Sequence, residues 1–374
     1  MPDRPRLTPA IADVRRAVRA MLPEGGSQSD PPAHRRVSTA ESEPRQGAES
    51  DPPAAVHGDE RPLVLVALSG GPDSLALAAA AAFEAPRAGL AAGAVIVDHG
   101  LQQGSDAVAD RAAAQARALG LAPVQLVRVE VGREGGPEGA ARAARYEALE
   151  AAAAELDPAV VLLGHTLDDQ AETVLLGLAR GSGPGSLKGM APVSGRYRRP
   201  LLGIRRATTR QACLDAGLEP WDDPHNADPA YARVRVRERL LPALEAELGP
   251  GVAESLARTA ELLREDGDAL DRFAEEVAED VVELEEAGLS LSADALAANP
   301  PALRQRIVRL AVQSEFHVAL SRAQTLEVCR LVTDWSGQGP LDLPGFTAER
   351  RGRRIHLIST RAGELTGVRP PHDH

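Results

Sequence analysis

The feature that most constrains the fold of this chain is an apolar run at residues 63–68 that leads directly into a glycine turn. An unbroken apolar run of this length predicts a strand that is buried on both faces of a parallel sheet. The next six residues read Ser-Gly-Gly-Pro-Asp-Ser, and an alanine-rich segment that favours a helix follows them. The sequence therefore predicts a strand, a tight turn and a helix in immediate succession.

This turn has the composition of an anion-binding loop. The first N–H groups of a helix have no partner within the helix, and the helix dipole favours negative charge there. The lysine of the commoner phosphate loop and the three spaced glycines of a dinucleotide-binding loop are both absent. An ordinary structural corner is the alternative. We expect the phosphates of a nucleotide to be bound by Ser69, Gly70, Gly71, Pro72, Asp73 and Ser74.

The length, charge and cysteine content limit what the chain can be. Its 374 residues suffice for about two or three domains. The net charge of −12 gives no global attraction for nucleic acid, so any contact with RNA must come from local basic patches. The two cysteines, Cys213 and Cys329, lie far apart, which argues against a disulfide scaffold, a zinc site and an iron–sulfur cluster.

The sequence contains no sign of a membrane or secretory protein. None of its apolar runs reaches the length that spans a bilayer. The N-terminus is charged and lacks the apolar core of a signal peptide. We therefore expect a cytoplasmic protein without a membrane partner.

Four regions of different character follow one another along the chain. Residues 1–22 carry apolar side chains at helical spacing with arginines between them, which predicts an amphipathic helix. Residues 23–60 have almost no apolar side chains to bury, which predicts a disordered linker. We expect a nucleotide-binding domain at 61–249 and a smaller domain at 250–374.

The region 61–249 alternates predicted strands with predicted helices. This rhythm predicts an α/β fold, in which a parallel sheet has helices on both faces and ligands bind at the carboxyl ends of the strands. The predicted strands are 63–68, 94–98, 124–131 and 160–164. The predicted helices are 73–85, 105–119, 138–155 and 168–180.

The region after residue 250 is predicted to be mainly helical. A long acidic segment at 251–285 has a helical pattern, and further helical patterns occur near 302–315 and 322–334. Two short segments at 341–345 and 350–358 suggest a small β-hairpin. The second of these segments contains Arg350, Arg351, Arg353 and Arg354.

A second informative motif begins where the fourth predicted strand ends. On a helix, His165, Asp168, Asp169 and Glu172 would lie on one face, because their offsets are zero, three, four and seven. Solvated acids that complement the helix dipole are one reading of this pattern. Since the stripe begins beside the predicted phosphate loop, we favour a pocket for Mg²⁺ or for a cationic substrate.

Arginines occur in three further places. Arg142 and Arg145 share a face of the helix predicted at 138–155 and could clamp phosphates, although solvated surface arginines would give the same pattern. A glycine-rich stretch at 180–190 predicts a flexible loop. Local basic patches suited to RNA are provided by Arg205, Arg206, Arg233, Arg235 and Arg237.

Taken in order, these motifs resemble those of the tRNA(Ile)-lysidine synthetases, a family of the ATP pyrophosphatase (PP-loop) superfamily. The resemblance covers about residues 61–245 and is specific because of the order of the whole set. Two positions depart from the family pattern, His225 in place of serine and Val234 in place of asparagine. The linker at 23–60 is also extra relative to the family.

The resemblance implies an adenine nucleotide alpha-hydrolase-like domain and a two-step reaction. The O2 atom of the wobble cytidine of a CAU-anticodon isoleucine tRNA attacks the α-phosphate of ATP. The ε-amine of free L-lysine then attacks C2 and expels AMP. The product is lysidine, which changes the codon that is read from AUG to AUA. The cofactors implied are ATP and Mg²⁺, and the oligomeric state is left open, with a homodimer as one alternative.

The resemblance also implies roles for individual residues. Asp73 and Asp168 would hold Mg²⁺, while Asp169 and Glu172 would bind the lysine. His165 would orient ligand or nucleotide, and His99 would line the nucleotide pocket. The remaining roles are charge stabilisation by Arg142 and Arg145, and tRNA binding by Arg205, Arg206, Arg233, Arg235, Arg237 and the basic C-terminal segment.

Two other functions fit parts of the pattern. A tRNA thiolase of the same superfamily also adenylates a base, but it usually uses paired cysteines, which this chain lacks. A catalytically silent nucleotide- or RNA-binding module would not need the acid and glycine positions to be intact. A synthetase fed by glutamine would need a second domain with a cysteine nucleophile, and no segment suggests one.

Overall fold

The computed structural model describes residues 7–23, 61–100, 104–132, 136–181 and 183–360. All but the first residue of the predicted linker at 23–60 therefore lies outside the described residues. The chain divides into two compact units, Met1–Glu261 and Leu262–His374. None of the helices in the described ranges is long and apolar enough to cross a membrane.

The larger unit contains a six-stranded, mostly parallel sheet. Its strand order is β3-β2-β1-β4-β6-β5, and only the β5–β6 pair is antiparallel. The strands are β1 (Leu63–Ala67), β2 (Ala91–Asp98), β3 (Val124–Arg128), β4 (Val160–Leu162), β5 (Val193–Ser194) and β6 (Tyr197–Arg198).

The strand order changes direction between β1 and β4. The chain moves outward from β1 to β2 and β3, and then returns to place β4 on the other side of β1. Register is set by pairs such as Val64 with Val160 and Leu63 with Ala91. In open α/β sheets such a switch point leaves a crevice at the carboxyl ends of the strands, where ligands bind.

Helices cover both faces of this sheet. Val64 and Val66 of β1 face one apolar core, and Leu65 faces the other, so the strand is buried on both faces as predicted. The first core includes side chains from 10–18, 75–85, 109–116 and 212–213, and the second includes side chains from 149–153. The helices of this unit are α1 (Pro9–Arg19), α2 (Pro72–Glu84), α3 (Ser105–Ala118), α4 (Gly136–Leu156), α5 (Leu167–Ala179), α6 (Pro184–Leu187), α7 (Arg206–Asp215), α8 (Ala232–Arg235) and α9 (Leu241–Leu248).

The amphipathic pattern near the N-terminus forms helix α1 as predicted. Thr8 caps it by accepting a hydrogen bond from the backbone N–H of Ile11. Its buried face includes Ile11, Val14 and Val18 and packs on α2 and α7. Arg19 of the same helix donates two hydrogen bonds to the buried carboxylate of Glu84.

The smaller unit has helices and a five-stranded antiparallel sheet of order β7-β8-β11-β10-β9. Leu291, Ile307 and Phe346 are fully buried in its core. The division between the units falls within α10 (Val252–Val281). The later elements are β7 (Val282–Glu285), β8 (Gly288–Ser292), α11 (Ala293–Ala298), α12 (Pro301–Phe316), α13 (Arg322–Thr333), β9 (Leu341–Leu343), β10 (Phe346–Arg351) and β11 (Arg354–Ser359).

This sheet corrects two predictions. The acidic segment at 251–285 is not helical throughout, because its last four residues form strand β7. The small hairpin predicted at 341–345 and 350–358 is part of a larger sheet, and its tight turn lies between β10 and β11. Strand β8 was not predicted. The helices predicted near 302–315 and 322–334 are confirmed as α12 and α13.

Candidate active site

The glycine turn after β1 forms a compact loop that exposes backbone N–H groups. Gly70 has a φ of +83°, a conformation that L side chains rarely adopt. The Ser74 hydroxyl accepts a hydrogen bond from the Ser69 backbone N–H at 3.2 Å and donates one to the Gly71 carbonyl at 3.0 Å. Gly71 is the N-cap of α2 and offers no side-chain partner to the first N–H groups of the helix. The loop therefore has the backbone geometry expected of an anion-binding loop.

This loop faces a cavity of about 380 Å³ at the switch point of the sheet. The end of β4 comes very close to the loop, since a Cβ on Gly164 would lie 3.3 Å from the backbone of Asp73 and Ser74. A side chain at position 164 would therefore displace the start of α2. Polar groups from five parts of the chain line the cavity, among them Ser69, Asp73, Ser74, Asp98, His99, Arg142, Arg145, Tyr146, His165 and Asp223.

One wall of the cavity is cationic. Arg142 and Arg145 both reach it from α4, and Arg142 lies over the ring of Tyr146 at 5.1 Å. Within the described parts of the chain, neither arginine forms an ion pair with a carboxylate. Desolvation in the cavity and the charge of Arg142 lower the pKa of Arg145. Two cations in one cavity without acidic partners favour an anionic ligand.

Two histidines line the same cavity. Burial lowers the pKa of His165 to about 4; Asp169 opposes this shift, while Arg199, Arg142 and Arg145 add to it. Desolvation and the nearby Arg145 likewise lower the pKa of His99. The Nδ1 atom of each ring is buried and has no hydrogen-bond partner among the described residues. Both imidazoles are therefore neutral near pH 7, and each leaves one ring nitrogen for a ligand.

Asp73 lies between the cavity and a group of charged residues behind it. Burial raises the pKa of Asp73 to about 6, against the effects of a short hydrogen bond from Thr209 and of the charge of Arg206. Its carboxylate is 3.6 Å from Nε of Arg206. A partly buried carboxylate that titrates near neutral pH is typical of functional sites.

Behind Asp73 lies an acid–arginine cluster, which we define as Asp73, Asp168, Asp169, Glu172, Arg205, Arg206, Arg233 and Arg237. The side chain of Glu172 is 0% exposed and contacts three guanidinium groups. The contacts are 2.8 Å to Arg237, 3.2 Å to Arg206 and 3.3 Å to Arg233. Four carboxylates and four guanidinium groups thus compensate one another in this cluster.

Asp169 has two structural partners in addition to its place in the cluster. One carboxylate oxygen accepts hydrogen bonds from the backbone N–H of Thr166 at 2.8 Å and from its hydroxyl at 2.9 Å, which completes a capping box on α5. The other oxygen accepts a bond from Arg206 at 2.8 Å. Burial alone would raise the pKa of Asp169, but Arg206 and the Thr166 N–H hold it below its ordinary value.

Asp168 points toward α7 and is not among the residues that line the cavity. It accepts a hydrogen bond from the backbone N–H of Arg206 at 2.8 Å and lies 3.5 Å from the Arg205 guanidinium. Arg205 also lies 3.4 Å from Glu254. Asp168 therefore caps a helix that crosses behind the cavity.

Family comparisons agree with this arrangement of a phosphate loop, a cavity and an acid stripe. A family model described as a PP-loop domain matches residues 48–244, and one described as the TilS substrate binding domain matches residues 291–356. A tRNA(Ile)-lysidine synthase from Leifsonia xyli subsp. xyli is 64% identical over 303 residues, which cover 79% of this chain and 91% of that relative. The chain belongs to the tRNA(Ile)-lysidine synthase family.

Further relatives support this assignment, and one solved structure has a similar fold. The tRNA(Ile)-lysidine synthases of Streptomyces coelicolor and Thermobifida fusca are 57% and 56% identical, over 79% and 78% of this chain and 84% and 89% of their own lengths. The U34-tRNA thiolase NcsA from Methanococcus maripaludis, solved with its [4Fe-4S] cluster, has a TM-score of 0.50 and 19% identity, and covers 68% of this chain and 80% of its own. That likeness shows a shared fold.

Neither cysteine of this chain is exposed. Cys213 is buried in the larger unit and Cys329 in the smaller. Burial raises the pKa of Cys213 to about 12. A thiol with such a pKa is a poor nucleophile at neutral pH, so the family assignment and the sequence argument against a thiolase agree.

The structure brings most of the predicted site residues together in two groups. His99, Arg142, Arg145 and His165 line the cavity together with every loop residue except Gly70. Asp169 and Glu172 lie in the acid–arginine cluster together with four of the five arginines that were predicted to bind tRNA. The fifth, Arg235, is exposed and donates to the backbone carbonyls of Pro229 and Ala230.

The structure rules out one alternative and corrects one expectation. The alternative reading of the acids at 168–172 as a solvated helix face is wrong, because arginines from two distant segments cover them. The stretch at 180–190 is not simply a flexible loop. It includes helix α6, and the Gln170 side chain exchanges two hydrogen bonds with the backbone of Met190, at 2.9 and 2.7 Å.

Sequence reasoning missed several residues of the site. Thr209 bonds Asp73 across 136 positions of sequence, and the backbone N–H of Trp221 donates to the Gly70 carbonyl at 2.9 Å. No local sequence pattern predicts either hydrogen bond. The four-residue offset of Arg233 and Arg237 is a signal that could have placed both on the face that meets Glu172.

Proposed function

We propose that this chain is an ATP-dependent ligase that joins lysine to C2 of the wobble cytidine of an isoleucine tRNA with a CAU anticodon. The single observation that carries the proposal is the phosphate loop at the switch point, facing a cavity whose arginines have no acidic partner among the described residues. The identity of 64% to a relative named tRNA(Ile)-lysidine synthase supports the choice of substrate. The reaction converts ATP to AMP and pyrophosphate.

The loop would hold the phosphates of ATP during the first step. The N–H groups at the start of α2 and the hydroxyl of Ser69, which lines the cavity, would donate to the phosphates, and Gly70 and Gly71 would let the phosphate approach the backbone. Pro72 begins the helix in the conformation that it needs. Arg142 and Arg145 would offset the charge that develops as O2 of the cytidine attacks the α-phosphate and pyrophosphate leaves.

Of the two residues predicted to bind Mg²⁺, Asp73 is placed to do so and Asp168 is not. Magnesium in nucleotide sites is bound through one or two carboxylates together with phosphate oxygens and water. Asp73 faces the cavity beside the phosphate loop and supplies such a carboxylate. Asp168 fits poorly, since its carboxylate is bonded to the start of α7 and to Arg205. The metal would neutralise phosphate charge when bound, and Asp73 would hold it.

We propose that the acid–arginine cluster binds the ammonium group of lysine through Asp169 and Glu172. Arg206 helps to hold the pKa of Asp169 below its ordinary value, and guanidinium groups surround the carboxylate of Glu172, so this place is built around carboxylates that can attract a cation. The arginines already occupy the positions that an ammonium group would take. Binding of lysine therefore requires at least one arginine to give up its contact, and a carboxylate released in this way can accept the ammonium proton before attack.

The histidines would position ligands without carrying charge. His165 follows β4 and lies next to both the cavity and the cluster. Its lowered pKa makes it a neutral hydrogen-bonding group near pH 7, suited to orienting the nucleotide or the attacking amine. His99 also lines the cavity and would contact the nucleotide.

For tRNA binding, Arg235 is the best placed of the predicted arginines because it is exposed. Arg233 and Arg237 would contact tRNA only after leaving Glu172, and Arg205 and Arg206 only after leaving their own acids. In the smaller unit we propose contacts from Arg350, Arg351, Arg353 and Arg354 at the β10–β11 turn. A truncation after residue 250 should weaken tRNA affinity, and unchanged affinity would contradict this part. The homodimer and the cytoplasmic location stay predictions.

The direct test uses the purified full chain with ATP, Mg²⁺, labelled lysine and two CAU-anticodon transcripts, one isoleucine and one initiator tRNA. Label in the isoleucine tRNA alone, and only with ATP, is the expected result. ATP consumption that depends on tRNA without incorporation of label would retain base adenylation and point to another nucleophile, such as the sulfur used by a thiolase. No ATP turnover would favour a silent binding module.

A further inference from the structure

A buried arginine near the cationic wall of the cavity, Arg199, has no role in the reaction proposed above. The side chain of Arg199 follows β6 and is only 7% exposed. Its Nη1 donates to the Ala191 carbonyl at 2.8 Å and its Nη2 to the hydroxyl oxygen of Tyr146 at 3.2 Å. Its Nε is buried without a hydrogen-bond partner in the described part of the chain.

Burial of this guanidinium group requires an explanation. An arginine stays protonated in proteins, and a buried charge is costly unless an opposite charge or a full set of hydrogen bonds compensates it. Among the described side chains no carboxylate forms an ion pair with Arg199. A structural role alone would be served better by an apolar residue of similar volume, which indicates that Arg199 acts on a neighbouring group.

Tyr146 is the group that connects Arg199 to the cavity. Its ring packs edge-on against Tyr197 at 5.3 Å and lies below the Arg142 guanidinium, and these two contacts fix its position at the cavity wall. Because the hydroxyl oxygen accepts from Arg199, its own proton is left for another acceptor. In the described residues Arg199 is its one hydrogen-bond partner. A hydroxyl that accepts from a cation is also a stronger donor.

We propose that Tyr146 is a further hydrogen-bond donor to the reacting phosphate, and that Arg199 is the positioning residue that orients and polarises it. Tyr146 contacts a nonbridging oxygen of the α-phosphate together with Arg142 and Arg145. The phenol keeps its proton throughout, while the bond from O2 of the cytidine to phosphorus forms and the bond to pyrophosphate breaks. The inference rests on the proposed function, because it assigns a residue to the adenylation step of that reaction.

The chain supplies a matched control for this proposal in the neighbouring tyrosine. Tyr197 donates its hydroxyl proton to Glu150 at 2.7 Å and is not among the residues that line the cavity. Tyr146→Phe and Tyr197→Phe remove the same atom from adjacent, mutually packed rings. Only the first removes a donor to the cavity.

The experiment measures pyrophosphate release in a single turnover with ATP and tRNA, before lysine is added, for the wild-type chain and four variants. We expect Tyr146→Phe to slow release about 10- to 100-fold with less than about a threefold change in the KM for ATP, because the bond strengthens in the transition state. Tyr197→Phe should stay within about twofold of the wild type. Arg199→Met should match Tyr146→Phe, and Arg199→Lys should recover part of the rate.

A double variant distinguishes two residues that act through one hydrogen bond from two residues that contribute to the rate independently. Since Arg199 acts through the Tyr146 hydroxyl, adding Arg199→Met to Tyr146→Phe should reduce the rate by less than about twofold more. Tyr146→Phe at the wild-type rate, equal losses in Tyr146→Phe and Tyr197→Phe, or losses that multiply in the double variant would each overturn the proposal. Absence of lysidine formation by the wild type would instead count against the proposed function. If Arg199→Met does not fold, the two phenylalanine variants still decide the question.

Discussion

The cavity and the acid–arginine cluster are neighbours that use arginine in opposite ways. In the cavity, Arg142 and Arg145 face open space without acidic partners among the described residues. In the cluster, Arg206, Arg233 and Arg237 are matched by buried carboxylates. Asp73 belongs to both regions, since it lines the cavity and lies 3.6 Å from Arg206.

This difference suggests different roles for the two groups of arginines. The arginines of the cavity are proposed to bind a ligand, whereas the ion pairs of the cluster arginines stabilise the fold. Removal of an unpartnered cation leaves no charge uncompensated, so it should cost ligand affinity or rate but little stability. Removal of a cation from a buried ion pair leaves an unpaired carboxylate, which is strongly destabilising. Substitutions in the two regions should therefore give opposite patterns.

The largest expected effect on stability is in the cluster. Arg206→Met leaves Asp169 and Glu172 each without one guanidinium partner, and breaking a buried ion pair of this kind costs about 3–5 kcal/mol. The shift of the denaturant midpoint at constant slope measures this loss. The matched control is Arg210→Met on the same helix, whose partner Asp222 is exposed and whose pair should contribute less than about 1 kcal/mol. Equal shifts in the two variants would show that the ion pairs of Arg206 stabilise the fold no more than an exposed pair does.

In the cavity the largest effect should be on rate. Arg145→Met should slow pyrophosphate release about 10²- to 10³-fold, the effect typical of removing one group that stabilises transition-state charge. Its denaturant midpoint should stay close to that of the wild type. A variant that loses stability but retains its rate would show that Arg145 is structural, and the comparison of the two regions would then fail.

Asp73, which belongs to both regions, should make the unfolding free energy depend on pH. Because burial raises its folded pKa from 3.8 to about 6, its contribution to stability is fully present below the unfolded pKa and is lost as the pH rises through the folded pKa. Ionisation should therefore cost about 1 kcal/mol of unfolding free energy between about pH 5 and pH 7 in metal-free buffer.

Asp73→Asn removes this titration and provides the control. The unfolding free energy of the variant should fall less over the same pH interval than that of the wild type. Added Mg²⁺ should reduce the wild-type loss, since it favours the ionised carboxylate, and should have little effect on the variant. Identical pH profiles for the two proteins would show that Asp73 titrates at its ordinary value.

The smallest effect is expected at Arg235, which belongs to neither region. Since it is exposed, Arg235→Ala should weaken tRNA binding only severalfold and reduce the salt dependence of binding by about one phosphate contact. Arg117→Ala, which changes an exposed arginine in the last turn of α3, is the control and should bind tRNA like the wild type. If the two variants behave alike, Arg235 is ordinary surface.

The parts of the fold and the site that could be predicted from the sequence are those that local sequence signals determine. The phosphate loop and its sheet were predictable because the signals are local: an apolar run, a glycine turn and a helix start within 15 residues of one another. The same holds for the acid stripe, whose offsets place Asp169 and Glu172 on one face of α5.

The partners of these acids were not predictable, because they come from segments 34 to 65 residues away. Helix periodicity shows that Glu172 shares a face with Asp169, but it cannot show that Arg206 and Arg237 will cover that face. Thr166 is an exception, since a threonine three residues before an acid is a local capping signal. In the smaller unit, the alternation of Leu289 and Leu291 with serines would have indicated β8, which lies next to β11 in the sheet.

The most direct test of the account separates the two chemical steps in one variant. The wild type and Asp169→Asn are mixed with ATP and isoleucine tRNA, pyrophosphate is measured, and lysine is then added and AMP is measured. If the cavity adenylates the base and the cluster receives lysine, the variant should release pyrophosphate within about threefold of the wild-type rate and release AMP at least about 100-fold more slowly. Pyrophosphate and AMP release that fall together, or that both stay at the wild-type rate, would contradict this division of the two steps.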